Sequence, residues 1–244
     1  MPVALITGAS AGFGRALAST LAEQGWQLVL DARNPDRLAA TADSLPSSAL
    51  VRAIPGNVAD DAHRAELGRT IAELPGLDLL VNNASTLGET PLPRLAEAQL
   101  DRLAEAYRVN VIGPLGLIQL LLPALRRASG TVVNISSDAA VADYEGWGSY
   151  GASKAGLDHV TRTLAAEEPQ LRWYSFDPGD MRTEMHQAAF PGEDISDRPE
   201  PASVVPRLLR LLRTAPPSGR YQAAQFEAEV ADPVVRPEQL QPIG

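Results

Sequence analysis

Val3-Ala4-Leu5-Ile6-Thr7-Gly8-Ala9-Ser10-Ala11-Gly12-Phe13-Gly14 is the stretch that decides the fold. Val3–Thr7 is apolar and short, as a buried strand is. A glycine-rich turn follows, and Gly12–Gln24 continues with the apolar spacing of a helix. Glycines in such a turn let the backbone bend tightly and approach a pyrophosphate. The helix N-terminus then offers free N–H groups and a partial positive charge to it. The spacing is G-x-x-x-G-x-G, not the G-x-G-x-x-G of the standard dinucleotide fingerprint. A tight turn with no ligand is the competing reading. Its place after the first strand of an alternating pattern favours the nucleotide.

Outward from this turn, apolar runs and amphipathic stretches alternate. The pattern predicts strands at Gln27–Ala32, Leu50–Pro55, Leu77–Asn82, Thr131–Ser136 and Leu171–Phe176. Helices are predicted at Pro35–Leu45, with Asn34 as its cap, and at Asp60–Leu74, Ser149–Glu167 and Pro201–Arg213. Leu95–Ala128 reads as one long helical region bent at Gly113-Pro114. Apolar strands separated by helices imply a parallel sheet covered on both faces. The expected fold is therefore α/β, a single doubly wound, Rossmann-like, three-layer domain over residues 1–244, with a mostly parallel sheet of six to seven strands. Residues 178–201, rich in Pro, Gly and acid, read as a long loop or lid. One short strand is expected at Arg220–Ala224, then an irregular tail over residues 225–244.

Composition narrows the function. The 244 residues carry a net charge of −9, which argues against a nucleic-acid partner. There is no cysteine, and His63, His159 and His186 lie too far apart in sequence to suggest a metal site. Val111–Leu125, the most apolar stretch, contains Gln119, Pro114 and Pro123 and reads as too short and interrupted to span a bilayer. No signal peptide is legible, so a cytoplasmic location with no membrane partner is expected. The chain has 20 arginines and a single lysine, Lys154.

Six short motifs, in order, carry a resemblance. They are Thr7–Gly14, Asn82-Asn83-Ala84-Ser85, Asn110, Asn134-Ile135-Ser136-Ser137, Tyr150-Gly151-Ala152-Ser153-Lys154 and Pro178-Gly179-Asp180-Met181-Arg182-Thr183. Together they resemble the classical short-chain dehydrogenase/reductase family over residues 3 to about 185. The resemblance implies a catalytic set of Asn110, Ser137, Tyr150 and Lys154. Ser137 would orient the substrate oxygen, and Asn110 would hold a water linking Lys154 to solvent. It also implies that Gly8, Ser10, Gly12, Phe13, Gly14, Asn57, Val58, Asn83, Ala84, Pro178, Gly179 and Thr183 bind the cofactor, together with Tyr150 and Lys154. Three departures stand out. Asn57 replaces the usual Asp, Ser85 replaces a glycine, and the usual C-terminal pattern is absent.

The chemistry supports the central pair independently. Ketone reduction needs a hydride and a proton donor near the developing alkoxide. Tyr150 and Lys154 lie four apart on a predicted helix and share a face. A cation there would lower the tyrosine pKa by favouring the phenolate. Five tyrosines and one lysine would show this spacing by chance about one time in fifty.

By family pattern, the acid that reads the ribose in NAD-specific relatives falls on Ala32, followed by Arg33. An arginine grips the 2′-phosphate, so NADP(H) is favoured over NAD(H). Asp31 is the competing position; if it read the ribose, NAD(H) would be preferred. Asp138, Tyr144, Trp147, Met185, His186 and Phe190 are candidates to line a partly apolar or cyclic carbonyl or alcohol, or to pack the lid on the body. Gly192-Glu193-Asp194 would disfavour anionic substrates if it faced the mouth. The expected protein is an NADP(H)-dependent oxidoreductase of small-molecule carbonyls and alcohols, assembled as a homodimer or homotetramer. The safer dimer contact is through Leu95–Ala128 and Ser149–Glu167. An NADP(H)-binding regulator or scaffold is the alternative, and the intact catalytic set weighs against it. A nucleotide-sugar epimerase is disfavoured by the roughly 60 residues left after Pro178-Gly179.

Overall fold

In a computed structural model, residues 1–226 are described. Seven strands run β1 (Val3–Thr7), β2 (Gln27–Ala32), β3 (Val51–Pro55), β4 (Leu79–Asn82), β5 (Thr131–Ile135), β6 (Arg172–Asp177) and β7 (Gly219–Gln222). The sheet order is β3-β2-β1-β4-β5-β6-β7, and every pairing is parallel. The helices are α1 (Gly12–Glu23), α2 (Pro35–Asp43), α3 (Asp61–Ala72), α4 (Leu100–Tyr107), α5 (Gly113–Ala128), α6 (Gly148–Glu167), α7 (Glu184–Ala189) and α8 (Pro201–Thr214). The doubly wound class expected from the alternation is the one observed.

Period-two alternation sends neighbouring strand residues to opposite faces. Ala4, Ile6, Leu28 and Leu30 face one core, with Phe13, Leu17 and Leu21 of α1 and Val205 and Leu208 of α8. Val3, Leu5 and Val29 face the other, with Leu67 and Ile71 of α3, and Leu117, Ile118 and Leu121 of α5. Each fully buried side chain of this size contributes roughly 1.5–3 kcal/mol. Strand order reverses between β1 and β4, which opens a crevice at the carboxyl end of the sheet.

Caps fix several helix starts. Asn34 Oδ1 accepts from the Arg37 amide at 3.0 Å, as the sequence predicts, and Pro35 begins α2. Asp60 caps α3 in the same way.

Three sequence expectations change. The long helical region is interrupted not at Gly113-Pro114 but by a π turn at Arg108–Ile112. Pro114 follows this turn at the second position of α5. Nor do the prolines break the apolar stretch. The helical run Leu100–Ala128 is long and apolar enough to cross a membrane by length and composition, but half of its most apolar window is buried against the sheet and its neighbours. Within 178–201, Thr183 caps a short helix, α7, where only irregular chain was expected. The strand expected at Arg220–Ala224 is present as β7, which starts one position earlier and ends two earlier. The predicted tail lies, beyond residue 226, outside the described residues.

Candidate active site

The carboxyl ends of the central strands open into a cavity of about 1820 Å³, lined by the glycine turn, the ends of β2 to β6 and the segment around α7. Gly8 has φ +66°, and a Cβ there would come within 2.8 Å of Asn83 Nδ2 and 2.9 Å of Ala84 Cα. Asn83 Nδ2 donates to the carbonyls of Thr7 and Gly8, and the amides of Asn83 and Ala84 both donate to Thr7 Oγ1. The loop after β4 thus clamps the turn. Gly14 serves this clamp: its Cβ would lie 2.5 Å from Asn83 Nδ2, and Gly14 does not line the cavity. Gly12, at φ +52°, faces Thr183 across the opening.

The residue before α1, Ala11, offers no side-chain cap, and the first turn of α1 holds no acid. The amides at the start of α1 and its dipole therefore face the cavity without a side-chain cap. Ser10, Phe13, Asn57, Val58, Pro178 and Gly179 also line it. This donor set fits a dinucleotide, with the pyrophosphate at the amides.

The end of β2 resolves the position of its acid. Ala32 and Arg33 line the cavity, and Arg33 is exposed with no carboxylate partner among the described residues. Asp31 is 1% exposed and bonds His63 Nε2 at 2.6 Å. Burial pushes the Asp31 carboxyl up, while hydrogen bonds from His63 and the Gly8 amide pull it down. The Asp31 bond holds His63 above the usual imidazole range. Gly56 accommodates the pair, because a Cβ there would run into the His63 ring.

Tyr150 and Lys154 lie on α6, both buried. Lys154 Nζ donates to the Ile135 carbonyl at 2.8 Å and sits 5.5 Å from the Tyr150 ring centroid. Burial lowers its pKa to about 8, with the Asp158 charge opposing. Tyr150 departs from expectation. Burial raises its phenol above the ordinary value, and hydrogen bonds with Ser137 and Ser85 pull only partly the other way. Lys154 donates to the Ile135 carbonyl, and burial disfavours the Tyr150 phenolate.

Asn110, within the π turn, is 1% exposed and does not line the cavity. Its Nδ2 donates to the Thr86 carbonyl and Ser153 Oγ, and its Oδ1 accepts from the Thr86 amide and Ser85 Oγ. That fills the amide's usual bonding capacity. The side chain braces the loop after β4 against α6. Ser137 Oγ donates to Asp138 Oδ1 at 2.9 Å, and Tyr144 donates to Asp138 Oδ2.

The six candidate substrate-lining residues all border the cavity. Trp147 packs edge-on to Tyr150 at 5.7 Å and lies 5.9 Å from Phe190. Met185 joins this apolar group. His186, on α7 within the lid segment, is buried beneath Phe190, with Nδ1 3.7 Å from Asp180. Gly192-Glu193-Asp194 does not line the cavity. Ser85, read from sequence only as a departure from glycine, is a second hydroxyl at Tyr150. Sequence reasoning missed Asp158, Asp177 and Arg220, which form a buried ion cluster behind Ser137. The only signal was an acid one turn after Lys154.

The profile of the short chain dehydrogenase family matches residues 2–194. Sepiapterin reductase of Meriones unguiculatus is 38% identical over 202 residues, 77% of each chain. Benzil reductase ((S)-benzoin forming) of Bacillus subtilis is 35% identical over 191 residues, 76% of each chain. Among solved structures, a short chain dehydrogenase of Escherichia coli CFT073 complexed with NADPH superposes with a TM-score of 0.82. It is 28% identical, with 91% of this chain and 96% of that chain covered.

Proposed function

Since the chain belongs to the short-chain dehydrogenase family, and is thereby an NAD(P)-dependent oxidoreductase of small molecules, we propose that it reduces a ring-bearing ketone with NADPH, Tyr150 delivering the proton. The observation that carries this reading is the buried Tyr150 hydroxyl beside Ser137 and Ser85, on the wall of a cavity lined by aromatic rings. A phenol raised by burial keeps its proton at neutral pH, as an acid for ketone reduction must. The bound dinucleotide would supply the hydride. Ser137 turns from Asp138 to the substrate oxygen and orients it between the two hydroxyls. Lys154, held near 8, carries a proton at neutral pH and can pass it on. Asn110 keeps Ser85 in place through its bond to the serine hydroxyl.

NADP(H) preference is supported by the Arg33 guanidinium, which has no carboxylate partner among the described residues, by Ala32 at the strand end and by the diversion of Asp31 to His63. The uncapped start of α1 would hold the pyrophosphate, and Pro178, Gly179 and Thr183 would close the nicotinamide side. A ring-bearing substrate is supported by Trp147 and Phe190, and by two relatives named for sepiapterin and benzil. Residues 1–244 would form one domain. Leu100 on α4, Ile112 at the end of the π turn and Leu120 on α5, all exposed, support a homodimer through this face.

The test is NADPH consumption across acetophenone, benzil, cyclohexanone and straight-chain 2-alkanones. The reading expects kcat/KM for the aryl ketones to exceed that for the alkanones at least about tenfold, one aromatic contact's worth of about 1.4 kcal/mol. Equal values, or no turnover of any of them, would overturn it.

A further inference from the structure

Arg220 belongs to no motif of the sequence, yet it joins three elements of the site. It enters from β7 and is 19% exposed. Its Nε donates to Asp158 Oδ2 on α6 at 3.0 Å, and its Nη2 to Asp177 Oδ2 at the end of β6, also at 3.0 Å. The same Nη2 donates to the Ser137 carbonyl at 2.8 Å. Asp158 and Asp177 are 3% and 4% exposed. Asp177 in turn accepts from the Gly179 amide through Oδ1 and from Gln222 through Oδ2.

We propose that Arg220 is a positioning residue of the active site: its planar guanidinium fixes the Ser137 backbone and the Pro178-Gly179 turn against α6 while neutralising the two carboxylates behind Tyr150 and Lys154. Only a planar, multiply donating cation meets two carboxylates and a carbonyl in three directions. A lysine offers the charge as a point, without the fork. The inference rests on the proposed roles of Ser137 and Tyr150.

Charge balance follows from the same contacts. Asp158 lies one helical turn from Lys154 and favours its cation. Asp177 and Asp138 both disfavour the Tyr150 phenolate. The titratable and charged groups around the cluster are Asp158, Lys154 and the Tyr150 phenol on α6, Asp177 from β6, and Asp138 after β5; Gln222 faces it from β7 as a neutral amide. Arg220 is the cation that bonds both Asp158 and Asp177. Without it, Asp158 is free to stabilise the Lys154 ammonium.

Because Lys154 is the single lysine of the chain, [13Cε]lysine labelling reports its titration by NMR without any substrate. Wild type is expected to titrate near 8. Arg220→Met is expected to move the midpoint up by about one pH unit, the scale of one uncompensated charge at this range. Adding Asp158→Asn is expected to return it. Arg220→Lys keeps the charge, so its midpoint stays near wild type while kcat for acetophenone falls about tenfold, because the fork to Ser137 is lost. If Arg220→Met does not fold, Arg220→Lys still carries the test through this split. An unmoved Lys154 midpoint in Arg220→Met, or unchanged kcat in Arg220→Lys, would overturn the inference. If Tyr150→Phe retains turnover, the catalytic reading fails instead, whatever Arg220 does.

Discussion

Arg33→Ala isolates the reading of the 2′-phosphate. In the structure Arg33 sits at the mouth of the cavity, exposed and without a carboxylate among the described residues, so the substitution breaks no internal ion pair. The strand end offers no acid either, because Ala32 occupies it and Asp31 is bonded to His63. A hydrogen bond to a charged group contributes about 1.5–3 kcal/mol, and solvent exposure puts this one toward the lower half. That converts to a loss of roughly 10- to 50-fold in NADPH affinity. NADH has no 2′-phosphate, and its affinity should move less than about twofold. The assay is a fluorescence titration of wild type and variant with each dinucleotide. The NADPH loss should shrink at high salt, since the contact is solvent-exposed. Unchanged NADPH affinity in the variant, or tighter NADH than NADPH binding in wild type, would refute the argument and return the ribose to Asp31.

Other outcomes follow from the same geometry. Gly14→Ala should cost ~3 kcal/mol and abolish NADPH binding, because its Cβ would lie 2.5 Å from the Gly8 carbonyl, a backbone atom that cannot yield; a melting curve and a titration would show it. The His63–Asp31 pair makes stability pH-dependent. With the folded His63 raised, its contribution is full below the ordinary value near 6.5 and is lost as pH rises through the folded value. Wild type should therefore melt lower at pH 9 than at pH 6, and His63→Ala, itself destabilising by about 3 kcal/mol, should flatten that difference. Trp147→Ala removes the ring against Tyr150 and Phe190 and should raise KM for acetophenone about tenfold, with little change for 2-alkanones.

Elements with strong periodicity were legible in the sequence because their signals are local. The apolar strands, the Asn34 cap and the Gly8–Gly14 turn each depend on a few adjacent residues. The π turn at Arg108–Ile112 was not legible, since Pro114 supplied a plainer reason for a bend one turn later. The helix within the lid was obscured by its prolines and glycines, although Thr183 is an ordinary cap. At the site, spacing brought Tyr150 and Lys154 to one face, but it could not reveal that burial would raise the phenol. Nor could it show that the Asn110 side chain ties the loop after β4 to α6. The Asp31–His63 bond and the Arg220 cluster join residues 32 and 43–83 positions apart, and such contacts leave no periodic trace.

The central claim is that Tyr150 gives the proton while other groups bind the cofactor. Tyr150→Phe tests it with two readings on one sample: NADPH affinity by fluorescence, and single-turnover reduction of the best ketone from the panel. The account predicts NADPH affinity within about threefold of wild type, because the pyrophosphate and 2′-phosphate contacts lie elsewhere. It also predicts a fall in turnover of at least about 10²-fold, the lower range of general acid catalysis. Turnover near the wild-type rate in that variant would contradict the account.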